Sequence, residues 1–195
     1  RNSDSIQKYI DAGVEKVILG SAAIKDKNFL KESCEKFQNH IALGLDAKDG
    51  YLLLSGWKES SNQSTLDYLK KVNNYGVSRL IYTDINRDGM KQSPNFDETL
   101  KVAEISNCPV IISGGVSSLD DIKKAKNLKN VDGIIVGKAI YDGDIKLDEL
   151  AKELDWIMVA KLSTIKRKIK NGEKLGFSER ARAVNKGLLP SKAKK

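Results

Sequence analysis

The chain has 195 residues, 40% hydrophobic and 31% charged, with 34 Lys and Arg against 26 Asp and Glu for a formal net charge of +8. No run approaches the roughly 18 consecutive apolar residues of a membrane-spanning helix, and the opening RNSDSIQKYI lacks the apolar core of a secretory leader. Two cysteines without metal-like spacing and one histidine, His40, argue against a disulfide framework, a His-based zinc site and a Ser-His-Asp triad, and fit buried thiols in a reducing cytoplasm.

In chain order, helical periodicity and short β-branched runs alternate. A helix is expected over 4–12 (Ile6, Tyr9, Ile10), then a strand at VEKVILG, 14–20. A helix over 27–37 (Phe29, Leu30, Cys34, Phe37) precedes the strand IALGLD, 41–46. YLLLSGW follows Asp49-Gly50 and reads as a β-ribbon return carrying Trp57 to its end. Helix 64–75 leads to the strand SRLIYTD (78–84), helix 94–106 to CPVIISGG (108–115), and helix 119–128 to VDGIIVG (131–137). A further helix begins near Lys146. Five near-continuous apolar strands with helices between them predict a parallel sheet covered on both faces.

The charge is uneven along this order. Residues 161–195 carry 12 basic and 2 acidic residues, so the first 160 are slightly acidic, with 22 against 24. The basic run reads either as a solvated extension or as a nucleic-acid or acidic-lipid contact.

Strand-to-helix loops are the rich ones: GSAA, DAKDG, TDINRDG, SGGV and VGKA. In parallel α/β folds ligands bind at the C-terminal ends of strands. VEKVILGSAAI (14–24) also repeats as VDGIIVGKAI (131–140), with Gly20 matching Gly137, which suggests half-barrel symmetry in a (β/α)8 barrel; a smaller open sheet is the alternative. Gly114-Gly115 and Gly137-Lys138 end adjacent strands, where backbone N–H groups can approach a phosphate; each alone would also suit a plain turn. Gly20-Ser21 in the repeat copy suggests a second phosphate, and hence a bis-phosphate ligand. Asp46 ends a strand well before the next helix, a placement for general acid–base work rather than helix capping. Thr83 and Asp84 end the next strand, and Asp88-Gly89 lie in the loop beyond it. Trp57 could stack on a flat heterocycle or simply anchor its loop.

GSAA, GLDAKDG, SGW, YTDINRDGM, SGGV and VGKAIYDG, in this order and spacing, resemble the phosphoribosylformimino-5-aminoimidazole carboxamide ribotide isomerase family of histidine biosynthesis. The resemblance implies a (β/α)8 TIM barrel of which strands 4–8 are present, running from helix 3 to helix 8 over residues 1–155, followed by a basic, partly helical extension at 156–195. It implies a cofactor-free, metal-free Amadori rearrangement of the bis-phosphate aminoaldose ProFAR to the aminoketose PRFAR in the cytoplasm. On the matching positions, Asp46 is one of two catalytic carboxylates, Thr83 stands beside the substrate and Trp57 stacks on it. Gly114, Gly115, Gly137 and Lys138 hold one phosphate, and Gly20 and Ser21 the other. Asp84, Asp88, Gly89 and, as the remnant of a GGGIR motif, Arg1 are further binding candidates. The family's strand-1 carboxylate, in an AIDL-type motif, has no counterpart here, so the chain reads as N-terminally truncated and inactive alone. The alternatives are the cyclase subunit of imidazole glycerol phosphate synthase, whose strand ends read more like NTAA and TSIDRDG, and a non-catalytic basic nucleic-acid-binding protein. The expected partner is the bis-phosphate substrate, with neither membrane nor nucleic acid, and self-association through unpaired barrel edges is the further expectation.

Overall fold

Five parallel strands, each reached through a helix, carry the molecule. In the computed structural model, which describes residues 2–151, they are β1 (Val17–Leu19), β2 (Ile41–Lys48), β5 (Arg79–Asp84), β6 (Val110–Ser113) and β7 (Val131–Ile134). They pair in sequence order, β1 with β2, β2 with β5, β5 with β6 and β6 with β7, all parallel. This is the strand succession of a (β/α)8 barrel, and these five strands form part of one, within a seven-stranded sheet that also includes the ribbon that follows β2.

The helices are α1 (Ser3–Asp11), α2 (Ser21–Lys25), α3 (Lys27–Lys36), α4 (Thr65–Val72), α5 (Phe96–Ile105), α6 (Leu119–Lys126) and α7 (Lys138–Tyr141). Local chemistry starts each long one. Side chains of Asn2, Asp26, Ser64, Asn95 and Ser118 accept backbone N–H bonds at the first turns of α1, α3, α4, α5 and α6, filling donors that a helix start leaves open. Helix α4 stops at Val72, short of the Tyr75 that periodicity suggested. Strand β1 begins only at Val17, because Gly13 (φ +90) and the bonds from Gly13 and Val14 N–H to Ile10 and Tyr9 carbonyls occupy the approach.

Between β2 and α4 lies the expected ribbon. Asp49-Gly50, both left-handed, turn β2 back into β3 (Tyr51–Leu54), and a second turn leads into β4 (Glu59–Ser64). β4 was not legible, because ESSNQS has no apolar alternation; its pairing with β3 imposes the strand.

The parallel strands have unlike faces. Leu43, Leu45 and Ala47 of β2, Leu80 and Tyr82 of β5 and Val110 of β6 point to one side and form a single core with Leu30, Cys34, Tyr68, Leu69, Val72 and Val102 of the helices. The alternate residues point to the other side, and Ile18 on that face is 59% exposed. Here the structure corrects the expectation of a sheet covered on both faces. The helices cover one; the other is the inner face, which in a closed barrel is packed by strands across the axis. Room on the inner face is tight within a row: a Cβ on Gly44 would lie 3.2 Å from Ile18 Cγ2, and one on Gly133 3.1 Å from Ile111 Cγ1.

The chain divides into two units, 1–145 and 146–195. Of the second, the described part is a turn of helix near Lys146, with Leu150 N–H donating to the Lys146 carbonyl. The expected domain boundary at residue 155 and the basic extension lie outside the described residues, as does Arg1.

Candidate active site

The C-terminal ends of the strands gather the chemistry. Register aligns Asp46 of β2 with Thr83 of β5, and Thr83 with Ser113 of β6. Aligned residues of parallel neighbours share a face, so these three polar side chains form a row on the inner face at the strand ends. Thr83 is buried, while Asp46 and Ser113 are partly open. Ser113 was not singled out from the sequence; its signal was its place in SGGV, next to the glycines that drew attention.

Trp57 reaches this row. It stands in the β3–β4 turn at φ +70, half exposed, and its indole Nε1–H donates to Asp46 Oδ2 at 2.9 Å. The indole therefore orients the carboxylate and lies against it. Three contacts pin the ribbon to α2: Ser55 N–H donates to Ser21 Oγ at 3.0 Å, Lys25 Nζ donates to Ser55 Oγ at 3.4 Å, and Lys25 pairs with Glu59 at 3.1 Å.

The glycine turns flank the row. At one end Gly20 and Ser21 border a groove of about 900 Å³ with Tyr9, Ile18 and Ser55. At the other, Gly114, Gly115, Gly137 and Lys138 line a cavity of about 260 Å³ together with Asp88 and Gly89. The two copies of the sequence repeat fold alike. Gly20 (φ −109, ψ −118) and Gly137 (φ −115, ψ −92) each open a short helix without a side-chain cap. Each carbonyl accepts from the third and fourth residues onward, Ala23 and Ile24 in one copy and Ile140 and Tyr141 in the other.

Gly114 and Gly115 are needed by their neighbours. Both are left-handed, and a Cβ would sit 2.7 Å from the Asp84 carbonyl oxygen at the first and 2.7 Å from the Ser93 carbonyl oxygen at the second. The loop between β5 and α5 packs directly on them. Before α6, the donors of Ser117 and the Ser118 N–H are engaged within their own turn. Asp121 accepts from Ser117 N–H, Ser117 Oγ–H and Ser118 N–H at 2.8–3.1 Å. Partial burial would raise the Asp121 pKa, but these hydrogen bonds outweigh it and hold the carboxyl below the usual range.

For Asp84 the geometry differs from the expectation of a ligand contact. It is 6% exposed and aligned with Ala47, on the helix-facing side. Its Oδ1 accepts from Asn86 N–H at 2.9 Å and its Oδ2 from Asn95 Nδ2 at 2.6 Å. Asp84 thus secures the β5–α5 loop that shapes the cavity. Asp49, read as a turn residue, is one, and also accepts from Asn86 Nδ2 at 2.8 Å.

Residues 1–146 match the family described as histidine biosynthesis protein. The chain is similar to the 1-(5-phosphoribosyl)-5-((5-phosphoribosylamino)methylideneamino) imidazole-4-carboxamide isomerase of Pelagibacter ubique, at 81% identity over 142 residues, 73% of this chain and 59% of the relative. Isomerases of the same name from Thioalkalivibrio sulfidiphilus and Burkholderia mallei are 45% and 43% identical; the alignments cover 73% and 72% of this chain, and 60% and 57% of those proteins. The chain therefore spans about three fifths of the length of the curated relatives it matches.

Proposed function

The chain belongs to the histidine biosynthesis protein family, and from that membership we propose that its strand ends form part of the active site of an aldose–ketose isomerase acting on a phosphoribosyl imidazole-carboxamide bis-phosphate. The observation that carries this reading is the arrangement of two glycine turns around the row Asp46, Thr83 and Ser113. From β1 to β7 is four strand spacings, about 19 Å along the sheet at about 4.8 Å each. A ligand with a phosphate at each end can seat one on Gly20 and Ser21 and the other among Gly114, Gly115, Gly137 and Lys138, with Asp88 and Gly89 on the rim. Its middle then lies on the polar row.

The rearrangement requires a proton delivered to the ring oxygen, which takes the electrons of the breaking C1–O bond. The nitrogen on C1 replaces the lost bond by forming C1=N. A proton removed from C2 leaves electrons that form C1=C2 while the C=N pair returns to nitrogen, and the enol becomes the ketone by losing its O–H proton and gaining a proton at C1. Two carboxyl groups on opposite sides of the ligand serve this chemistry. Asp46 is one. Thr83 hydrogen-bonds the sugar, and Trp57, released from Asp46, stacks on the imidazole. The described residues provide no second carboxylate in the row, so this segment alone should bind ligand and not turn it over. The isomerase is favoured over the related cyclase by the shared name of the relatives above.

The test is a titration of the chain with ProFAR, followed by tryptophan emission and melting temperature. The expected result is a rise in Tm and a change in emission that Trp57→Phe reduces, without product. No shift with millimolar ligand would overturn the binding reading, and turnover at an ordinary enzymatic rate would overturn the claim of an incomplete catalytic pair.

The exposed edge of β1 supports a second proposal, that copies of the chain associate through their open strands. Among the described residues β1 and β7 are each paired on one side only, and unpaired strand edges invite such pairing, with Ile18, 59% exposed on the inner face, beside the β1 edge.

A further inference from the structure

The β5–α5 loop forms one wall of the cavity around Gly115 and Gly137, and a single lysine ties it to the opposite wall. Lys91 Nζ lies 2.7 Å from Asp142 Oδ2 and 2.6 Å from Asp144 Oδ2. Lys91 belongs to the loop, whereas the two aspartates follow α7, the short helix that Gly137 opens. The clasp thus spans the cavity that Lys91 itself lines.

Three observations show that the loop needs holding. Lys91 and Ser93 both take left-handed backbone conformations, φ +52 and +64, which are unfavourable for residues with a side chain. The Ser93 carbonyl oxygen stands where a Cβ on Gly115 would be, so a shift of the loop changes the width of the cavity. On the other side of the loop, Asp84 and Asn95 fix its two ends. The stretch between those ends is secured across the cavity by Lys91.

We propose that Lys91 is a positioning residue for the anion held between the Gly115 and Gly137 turns: by clasping Asp142 and Asp144 it fixes the distance between the two walls. This rests on the phosphate reading given above. An exposed ion triad adds little to global stability, so the gain lies in geometry. Hydrogen bonds from the ammonium to Asp142 and then Asp144 raise the Lys91 pKa, and the same contact lowers that of Asp142. Both partners therefore stay charged through the neutral range.

The test titrates inorganic phosphate into the full chain by calorimetry, beside the variants Lys91→Ala, Lys91→Arg and Asp142→Asn/Asp144→Asn. Lys91→Ala should weaken phosphate at least fivefold with an unchanged melting temperature, Lys91→Arg should stay within twofold of the parent, and the double asparagine variant should also weaken binding. Tighter binding by the double variant would overturn the proposal, since it would mean that Lys91 is a ligand restrained by the aspartates. Equal affinity in all four would overturn it as well. Amide exchange over residues 88–91 in the ligand-free chain separates this from the phosphate reading. Lys91→Ala should speed exchange there whether or not phosphate binds, and unchanged exchange would overturn the clasp. Absence of phosphate binding by the parent, with faster exchange in Lys91→Ala, would overturn the phosphate reading and the positioning role while leaving only a structural tether.

Discussion

The two copies of the helix–strand–glycine repeat begin from nearly the same local structure and end in different surroundings. Gly20 and Gly137 share dihedral angles, the absence of a side-chain cap and the same pair of turn hydrogen bonds. Around Gly137, the loop packed on Gly114 and Gly115 and the Lys91 clasp border a cavity of about 260 Å³. Around Gly20, the neighbouring wall is the β3–β4 ribbon, and beyond β1 the groove opens to about 900 Å³. Local sequence sets the turn, and what packs beside the turn decides what kind of pocket it lines.

The largest expected contrast is between two glycines of the smaller cavity. Gly115→Ala places a Cβ against the Ser93 carbonyl oxygen at a left-handed residue, and should destabilise the chain by about 2–5 kcal/mol. Gly137→Ala meets nothing within 4 Å and should cost within about 1 kcal/mol. Urea denaturation reads both; equal losses would mean that the loop does not press on Gly115 as described.

A smaller effect probes the larger groove. Ser21→Ala removes the acceptor for Ser55 N–H and should cost about 1 kcal/mol, with faster amide exchange at Ser55. Unchanged exchange there would show that the Ser55–Ser21 bond does not hold the ribbon.

Smaller still in stability is Ile18→Lys, expected to stay within about 0.5 kcal/mol because the side chain is 59% exposed. It should nevertheless reduce self-association in sedimentation velocity. A parent that is monomeric at high concentration would remove the edge-pairing proposal.

The faintest signal comes from the thiol beneath the first copy. Burial, followed by the influence of Cys108, raises the Cys34 pKa from 9.0 to about 11. At pH 8 Cys34 should react with a thiol reagent far more slowly in the native chain than in urea. The sign for stability follows from the same shift. The unfolded chain loses this proton near 9.0 and the folded chain near 11, so this group's contribution falls as pH rises through that interval. Equal native and denatured reaction rates would contradict the burial of Cys34.

Much of this was legible before any coordinates. Alternation of helical and β-branched segments announced five parallel strands, and all five occur in the expected order. The Asp49-Gly50 turn and the ribbon behind it were legible because left-handed positions select Asp and Gly. Gly20 and Gly137 were matched by a repeat, and the structure shows matched turns. β4 was not legible, since its strand comes from pairing with β3 and its residues are polar. Asp84 drew attention as an acid at a strand end, yet period two turns it to the side opposite Asp46 and Thr83. Lys91 carried no signal, because its partners lie more than 50 positions away in the chain.

By itself, then, the sequence determined the order of elements, the caps that start the helices and the glycine turns at the strand ends, because these depend on residues within a few positions of one another. Only the tertiary structure decided that Trp57 lies on Asp46, that Asp84 serves its own loop, and that a lysine spans the smaller glycine cavity while a strand ribbon borders the larger one. Those outcomes depend on strand register and on contacts between distant loops, which local periodicity and turn preference do not encode.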